Sequence, residues 1–109
     1  MSSFVKYIDT PVLPVKGPIS RRILAYGPSL MSVEVSFLEP YTDVPHSHPH
    51  DQICMVLEGM FEFNLDGEMI LMNPGDSIFV AGNLPHCINA LTPGKALDIF
   101  SPLREDFLK

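Results

Sequence analysis

His46 and His48 are the residues of this sequence whose spacing most clearly suggests chemistry. They lie two positions apart, and in an extended chain that spacing directs both imidazoles to the same side. Gln52 follows beyond a corner at Pro49, so its amide can return toward the same point, and a third imidazole, His86, comes much later. Imidazole and amide groups are ligands for divalent metals of the first transition row. These four residues therefore predict a metal site built from two separate segments.

The alternative is that these histidines lie on surface loops, which is the commoner outcome for a single histidine near prolines. Three of the four histidines, however, occur at positions that one strand-and-turn scaffold can bring together. The fourth, His50, is adjacent to them, but Pro49 breaks the alternation that would align it with His48. We therefore expect His50 to be a loop residue and the other three to bind metal.

The composition favours a small β-rich domain. The chain has 109 residues, of which 46% are hydrophobic and 18% are charged, with 11 prolines and 7 glycines. This mixture suits many short strands joined by sharp turns. The net charge of -6 disfavours nucleic acids and anionic membranes as partners, because both would be repelled. An anionic small substrate would need a local positive centre.

Alternating segments bounded by turns predict about eight strands. Val33, Val35 and Phe37 alternate with polar residues, which is the period of a half-buried strand. Asp66-Gly67 is a strong hairpin signal, since both positions tolerate positive φ. Such a pattern predicts an antiparallel sandwich or barrel, with helix conceivable only at 104–109. The predicted strands span residues 21–26, 30–38, 52–57, 60–65, 68–72, 77–81, 87–91 and 96–100.

We expect residues 1–109 to form a single domain with three parts. Residues 1–20 are predicted to be an extended arm, residues 30–100 the barrel core and residues 101–109 a tail. The arm has prolines and short apolar pairs without helical period, which suits an edge or intersubunit strand. Together with the apolar outer faces expected of a small sandwich, this arm favours a homodimer.

Cysteine usage and the N-terminal residues predict a cytoplasmic protein. Cys54 and Cys87 stand at no motif spacing, which fits a reducing compartment better than a disulfide-stapled domain. Each is expected to be a small core residue, although Cys54 shares the strand parity of Gln52. No basic segment is followed by an apolar stretch, and no run approaches membrane-spanning length.

The histidine segment resembles the first motif of the cupin superfamily. In that motif His-x-His is followed after three residues by a carboxylate and after six more by glycine, and His46, His48, Gln52 and Gly59 keep every spacing. The resemblance implies an all-β, single-domain cupin with a double-stranded β-helix, or jelly-roll barrel, that holds one divalent transition metal. It does not select among nickel, zinc, iron and manganese, because imidazole-rich sites accept all four.

The segment from Gly75 to His86 resembles the second cupin motif. Two details depart from the family pattern: Ala81 stands where proline is usual, and Asn89 falls one position early. The two motifs indicate the fold and the metal over about residues 30–100. They leave the reaction open, because cupins host many chemistries.

Gln52 stands where the first motif usually has a carboxylate. Three neutral imidazoles and a neutral amide cancel none of the charge of the metal, so the site favours an anionic ligand such as a carboxylate. The same ligand set argues against iron-oxygenase chemistry, which commonly pairs two histidines with one carboxylate.

Asp98, Phe100 and Arg104 are candidates for the substrate side of the site. Asp98 and Phe100 share a strand face, so both would line the barrel mouth if that face points inward. Arg104, past Pro102, could fold back over the same opening. The alternative is an edge strand with a solvated aspartate and a charged tail, and the residues alone leave both interpretations open.

The chain also resembles one subgroup, the pectin-degradation cupins of the KdgF family, in its near-minimal length, its His-Ser-His-Pro-His-Asp-Gln run and its Asp-x-Phe-x-Pro-x-Arg ending. The resemblance implies a metal-dependent, isomerase-like enzyme. Such an enzyme converts the 4,5-unsaturated monouronates left by pectate and alginate lyases into linear 4-deoxy-5-keto uronates. Carried over by position, the metal ligands are His46, His48, Gln52 and His86, the catalytic residues are Asp98 and Arg104, and the residues that bind the small anionic sugar are Phe100 and Arg104.

Three other functions stay open at the level of the sequence: a cupin-type dioxygenase, another small cupin enzyme, and a non-catalytic sugar-binding cupin. A cupin-type mononuclear dioxygenase would need iron or copper and would consume oxygen, which an oxygen electrode detects. A non-catalytic sugar-binding or storage cupin would hold a structural metal or none. Turnover of an unsaturated uronate distinguishes the uronate-converting enzyme from these alternatives.

Overall fold

Strands dominate the computed structural model, which describes residues 3–109. The helices in this part are single 3-10 segments at Tyr7–Asp9 and Glu105–Leu108. The all-β prediction is confirmed, and the eight predicted strands differ from the observed ones by at most two residues at either end. The strands are β1 (Leu13–Lys16), β2 (Ile19–Tyr26), β3 (Met31–Phe37), β4 (Asp51–Glu58), β5 (Phe61–Leu65), β6 (Glu68–Met72), β7 (Ser77–Val80), β8 (His86–Ala90) and β9 (Gly94–Ser101).

Two antiparallel sheets enclose the core. The larger has the order β1-β2-β3-β9-β4-β7 and the smaller has the order β6-β5-β8. Strand β9 lies between β3 and β4, so it pairs with strands far from it in sequence. This non-local pairing places the last strand directly beside the strand that follows the histidine segment.

Side chains from both sheets fill the space between them. Phe37 of the larger sheet meets Phe61 of the smaller one edge to face, with ring centroids 5.1 Å apart. In β4 the even-numbered residues from 52 to 56 are buried, and the odd-numbered residues from 51 to 57 are exposed. This period of two gives β4 one face toward the core and one face toward solvent.

The predicted arm contains the edge strand that its sequence suited, together with a short 3-10 turn that was not predicted. Within it, the turn at Tyr7–Asp9 precedes edge strand β1, which pairs with β2. The Tyr7 hydroxyl donates a 2.6 Å hydrogen bond to Glu34 Oε1, and Arg22 donates to the Thr10 carbonyl at 2.8 Å. These bonds fasten the described part of the arm to β2 and β3.

The tail after β9 turns back toward the sheet opening. The peptide bond between Ser101 and Pro102 is cis, and the Leu103 amide donates to the Pro28 carbonyl. The chain then reaches Arg104 and the 3-10 segment Glu105–Leu108. Neither 3-10 segment in residues 3–109 has the length or apolar content of a membrane span.

Candidate active site

Three imidazoles converge at one end of the two sheets. His46, His48 and His86 offer nitrogen atoms that all lie within 4.8 Å of one another. The backbones of His46 and His86 exchange two hydrogen bonds of 2.9 Å, which form an antiparallel bridge. This bridge sets their rings side by side, with centroids 4.7 Å apart, and the His48 ring lies 4.8 Å from that of His86.

The turn at Gly82 and Asn83 positions the loop that carries His48. The Asn83 amide donates a 2.7 Å hydrogen bond to the His48 carbonyl, and the Gly82 amide donates to Asp51 Oδ1 at 2.9 Å. A Cβ at Gly82 would collide with the Pro49 carbonyl oxygen, so only glycine allows this close approach. Asn83 has φ +68°, a left-handed conformation that asparagine tolerates.

His86 presents a nitrogen without a partner to the centre of the cluster. Its Nδ1 lies 2.8 Å from the Leu84 carbonyl, which fixes Nδ1 as the donor and leaves the lone pair on Nε2. Among the described residues, the buried Nε2 finds no hydrogen-bond partner. The Phe63 ring stacks parallel to His86 at 6.1 Å. A buried lone pair of this kind is costly in the absence of a cation or donor.

Both ring nitrogens of His48 face oxygen atoms. Nδ1 lies 3.1 Å from the His50 carbonyl, and Nε2 lies 3.1 Å from Gln52 Oε1. A neutral imidazole has only one N–H, so it can satisfy one of these acceptors but not both. A metal cation bound by Nε2 and Oε1 together would resolve the conflict, because both atoms then donate lone pairs to it.

Loss of solvation favours the metal-binding form of two of the imidazoles. It lowers the pKa of His46, with a smaller contribution from His86, and it lowers the pKa of His48, where Arg104 acts in the same direction. A lowered pKa means that the neutral ring predominates at neutral pH, and the neutral ring is the metal ligand. The three histidines could thus hold a metal ion, and the donor set does not select which one.

Asp98 lies directly next to this cluster. Gln52 Nε2 donates a 3.0 Å hydrogen bond to Asp98 Oδ1, while Cys54 faces Asp98 across the β4–β9 pair. The residue keeps some exposure to the cavity, but protein surrounds its carboxyl group, and burial raises its pKa against the lowering effect of hydrogen bonds from Cys54 and Gln52.

Burial, with Asp98 adding to it, raises the pKa of the Cys54 thiol well above its usual range. Cys54 is therefore a buried core residue, as predicted.

One cavity of about 450 Å³ contains every residue that the sequence nominated for the site. Phe100 is 3% exposed and lies in its wall, with its ring 5.7 Å from that of His48. His50 does not line the cavity, although its ring is 5.5 Å from that of His48. The nominated residues that line it are His46, His48, Gln52, His86, Asp98, Phe100 and Arg104.

Arg104 lines the cavity, and its guanidinium is paired with Asp106, two residues further along the chain. Its Nε and Nη2 donate to the two carboxylate oxygens of Asp106 at 3.1 and 2.9 Å. The guanidinium also lies 4.2 Å from the Phe107 ring centroid and 5.0 Å from that of Phe100. Arg104 lines the cavity, as expected of a residue that folds back toward the opening. Among the described residues its side-chain hydrogen bonds go to Asp106 and not to Asp98.

Sequence reasoning missed Lys16, Arg21 and Asp43, which also line the cavity. Lys16 pairs with Asp43 at 2.7 Å. Arg21 lies on β2 between Ile19 and Ile23, at the same parity as both. An arginine inside an apolar alternation was the available signal, because such a residue points toward the sheet interior.

The fold and the histidine cluster define the class of the protein. The family model described as "Cupin domain" matches residues 35–100. This chain therefore belongs to the cupin family, and the predicted cupin architecture is confirmed.

Relatives that match nearly the whole chain indicate the subgroup of cupins to which it is similar. The pectin degradation protein KdgF of Dickeya dadantii is 37% identical over 102 residues, which cover 92% of this chain and 93% of that protein. The structure of KdgF from a Halomonas species is 37% identical, covers 98% of this chain and 99% of that one, and superposes with a TM-score of 0.91. An RmlC-like cupin from Shewanella frigidimarina is 34% identical, with 98% and 96% coverage and a TM-score of 0.89. The predicted relationship to the KdgF-type cupins is confirmed.

Proposed function

We propose that this protein is a metal-dependent enzyme that converts 4,5-unsaturated monouronates, from pectin or alginate breakdown, into linear 4-deoxy-5-keto uronates. The observation that carries the proposal is the contact between the histidine cluster and Asp98 through Gln52. It joins a site for an electrophile to a carboxyl group able to move a proton. The similarity to KdgF proteins over nearly the whole chain supports this substrate class.

In this proposal His46, His48, Gln52 and His86 hold one divalent transition metal, which is nickel, zinc, iron or manganese. When bound, the metal supplies a Lewis acid that stabilises negative charge developing on a substrate oxygen. The neutral ligand set leaves the full charge of the ion available to that oxygen. The ligands and Asp98 line the same cavity, so a substrate bound there can contact both.

Asp98 is the proposed proton shuttle. Ring opening removes a proton from the anomeric hydroxyl and breaks the bond between the anomeric carbon and the ring oxygen. The electron pair of that bond stays on the former ring oxygen as an enolate, which becomes the 5-keto group when its C4 takes up a proton. One carboxyl group can perform both transfers, since one proton is removed and one is returned. Its raised pKa brings it closer to the neutral range in which a general acid–base works best.

Phe100 and Arg104 form the proposed substrate wall. The buried Phe100 ring offers an apolar face against which the sugar ring can pack. Arg104 lies over this ring and keeps its Asp106 pair, so it positions the wall and presents its remaining donors to polar groups of the sugar. Both residues orient the substrate toward Asp98, which is a large part of what catalysis requires.

The direct test follows the ultraviolet absorbance of the conjugated double bond of an unsaturated galacturonate. The expected result is loss of absorbance with metal-loaded protein, little loss after chelation, and recovery when metal is restored. An oxygen electrode run in parallel should record no oxygen uptake. A metal-loaded protein that leaves the absorbance unchanged would refute the proposal, and oxygen uptake would favour the dioxygenase alternative.

We also propose that the protein acts as a homodimer in the cytoplasm. The outer face of the larger sheet exposes apolar side chains, with Ile53 opposite Phe79 in the β4–β7 register and Met55 and Leu57 beside them. A contiguous apolar face of this kind suits a symmetric contact. Both cysteines are free, which suits a reducing compartment.

Light scattering of Ile53→Lys tests the proposed dimer. The variant should be monomeric, whereas Met69→Lys, an exposed methionine on the smaller sheet, should keep the mass of the wild type. A monomeric wild type would contradict the proposal.

A further inference from the structure

Three cationic side chains of the described chain line the cavity, and they differ in how their charges are compensated. Lys16 forms a 2.7 Å ion pair with Asp43. Arg104 forms a two-point contact with Asp106. Within residues 3–109, Arg21 makes no hydrogen bond or ion pair through its guanidinium, although it lines the same cavity. It is the cation whose five N–H donors remain free for a ligand.

The position of Arg21 is fixed without using those donors. Its backbone lies in β2, opposite Val35 of β3, and its guanidinium packs on the Phe107 ring at 3.7 Å from the ring centroid. Packing on an aromatic face holds the guanidinium plane but leaves its N–H edge open. A planar group with free paired donors matches the two oxygens of a carboxylate.

The charge of Arg21 is poorly balanced by the protein. Burial lowers its pKa and nearby Arg104 does the same, while Asp106 and Asp98 act in the opposite direction without balancing them. Both guanidinium groups pack on Phe107, with Arg104 at 4.2 Å from the ring centroid. An anion bound beside Arg21 would offset this repulsion, so the free protein is prepared for a negative ligand.

We propose that Arg21 binds the carboxylate of the substrate, so that the cavity selects sugar acids over uncharged sugars. This inference rests on the proposed function for the identity of the sugar. It assigns the carboxylate to the protein side chain and leaves the metal for the hydroxyl and ring oxygens at which the reaction occurs. Arg21 acts as a specificity-determining residue, and Asp98 keeps the proton transfer.

Calorimetric binding of galacturonate and galactose tests the assignment without any turnover. Wild-type protein should bind galacturonate about 10- to 100-fold more tightly than galactose, as expected for a two-point contact between charged groups. Arg21→Gln should remove most of this preference by weakening only the acid. The preference should persist after chelation, because Arg21 does not depend on the metal.

Arg22→Gln is the matched control. Arg22 is the next residue on β2 and carries the same charge, but it contacts Thr10 and the Tyr7 ring outside the cavity. The control variant should keep the wild-type preference. Thermal denaturation of both variants establishes that they are folded, and if Arg21→Gln does not fold, Arg21→Lys replaces it. A drop in preference of about threefold or more with lysine supports the paired contact.

The results separate failure of this inference from failure of the proposed function. An unchanged preference in the Arg21 variant, equal weakening of both sugars, or loss of the preference on chelation overturns the assignment to Arg21. Wild-type protein that binds both sugars alike overturns it as well. Selective binding through Arg21 by a protein that does not consume unsaturated uronate upholds the assignment and refutes only the proposed reaction.

Discussion

Gln52 donates a 3.0 Å hydrogen bond from Nε2 to Oδ1 of Asp98, and its other amide atom, Oε1, lies 3.1 Å from Nε2 of His48. One amide thus connects a predicted metal ligand with the predicted proton shuttle. A carboxylate in its place could bind a metal but could not donate a hydrogen bond to Asp98. This relationship explains why glutamine suits a site that combines a metal with an ionisable aspartate.

Replacing Gln52 with glutamate should separate metal binding from activity. The new carboxylate can still bind the metal, so elemental analysis should find it retained. The activity should fall at least about tenfold at neutral pH for two reasons. The negative charge of the new glutamate raises the pKa of the adjacent Asp98 further, and glutamate cannot donate the hydrogen bond that Gln52 gives to Asp98. The matched amide-to-acid change Asn64→Asp, in β5, should leave kcat unchanged. A Gln52→Glu enzyme with wild-type kcat would contradict the role of the amide.

Asp98→Asn should abolish the proton transfer while keeping the fold. We expect kcat to fall by about 100- to 10,000-fold, the usual range for loss of a general acid–base, with metal content unchanged. The melting temperature should not fall, since burying a neutral amide costs less than burying a carboxylate. Asp66→Asn in the exposed β5–β6 hairpin is the control and should keep full activity. A fully active Asp98→Asn enzyme would rule out the shuttle.

Removing one imidazole should remove the metal. His86→Ala deletes the nitrogen that has no other partner among the described residues, and elemental analysis should show a large loss from about one ion per chain. His50→Ala serves as the comparison, because His50 lies outside the cluster of three. It should retain the metal. Equal metal content in both variants would mean that the ion is held elsewhere.

Gly82→Ala should displace the loop that carries His48. The added Cβ collides with the Pro49 carbonyl, so we expect a loss of about 1–3 kcal/mol in the free energy of unfolding and at least about tenfold weaker metal binding. Urea denaturation and metal titration measure the two effects. Gly27→Ala, whose Cβ would meet nothing within 4 Å, should change neither. Wild-type metal affinity in the Gly82 variant would show that the loop does not depend on this contact.

The pair between Arg104 and Asp106 should give a pH-dependent contribution to stability. The hydrogen bond from Arg104 lowers the pKa of Asp106 below its ordinary value of 3.8. Stability from this pair is therefore complete above that value and is lost as the pH falls through the lowered one. Because Asp106 is exposed, Asp106→Asn should cost only about 0.2–1 kcal/mol at pH 7. The difference between the urea midpoints of the two proteins should shrink progressively as the pH falls below 3.8, and a difference that stays constant there would contradict the pair.

Much of the fold could be predicted from the sequence because its signals are local. The alternation of Val33, Val35 and Phe37 defines a strand by itself, and Asp66-Gly67 defines the turn between β5 and β6. The spacing of His46 and His48 likewise indicates that their side chains lie on the same side of an extended chain. Each of these signals lies within a few residues, so it can be interpreted without knowing the order of the strands in the sheet.

The missed features depend on contacts between distant segments. The contact of Cys54 with Asp98 follows from the pairing of β4 with β9, and no periodicity in either strand determines that register. Arg21 stands out because the other two cations of the cavity, Lys16 and Arg104, each pair with an aspartate. The pair of Arg104 lies in the tail, whose position the sequence does not determine. An edge strand was expected within the predicted arm, but the bounds of β1 could not be predicted because its four residues, including Pro14, show too short an alternation.

Strand β4 turns Gln52 inward to the site and Cys54 inward to the core, while Ile53 and Met55 point outward to the proposed contact between subunits. The two functions therefore alternate residue by residue along one backbone. A mutation that shifts the backbone on the outer surface also moves the peptide units of Gln52, whose amide contacts Asp98. A substitution that shifts the backbone of these eight residues is therefore expected to change both faces of the strand at once.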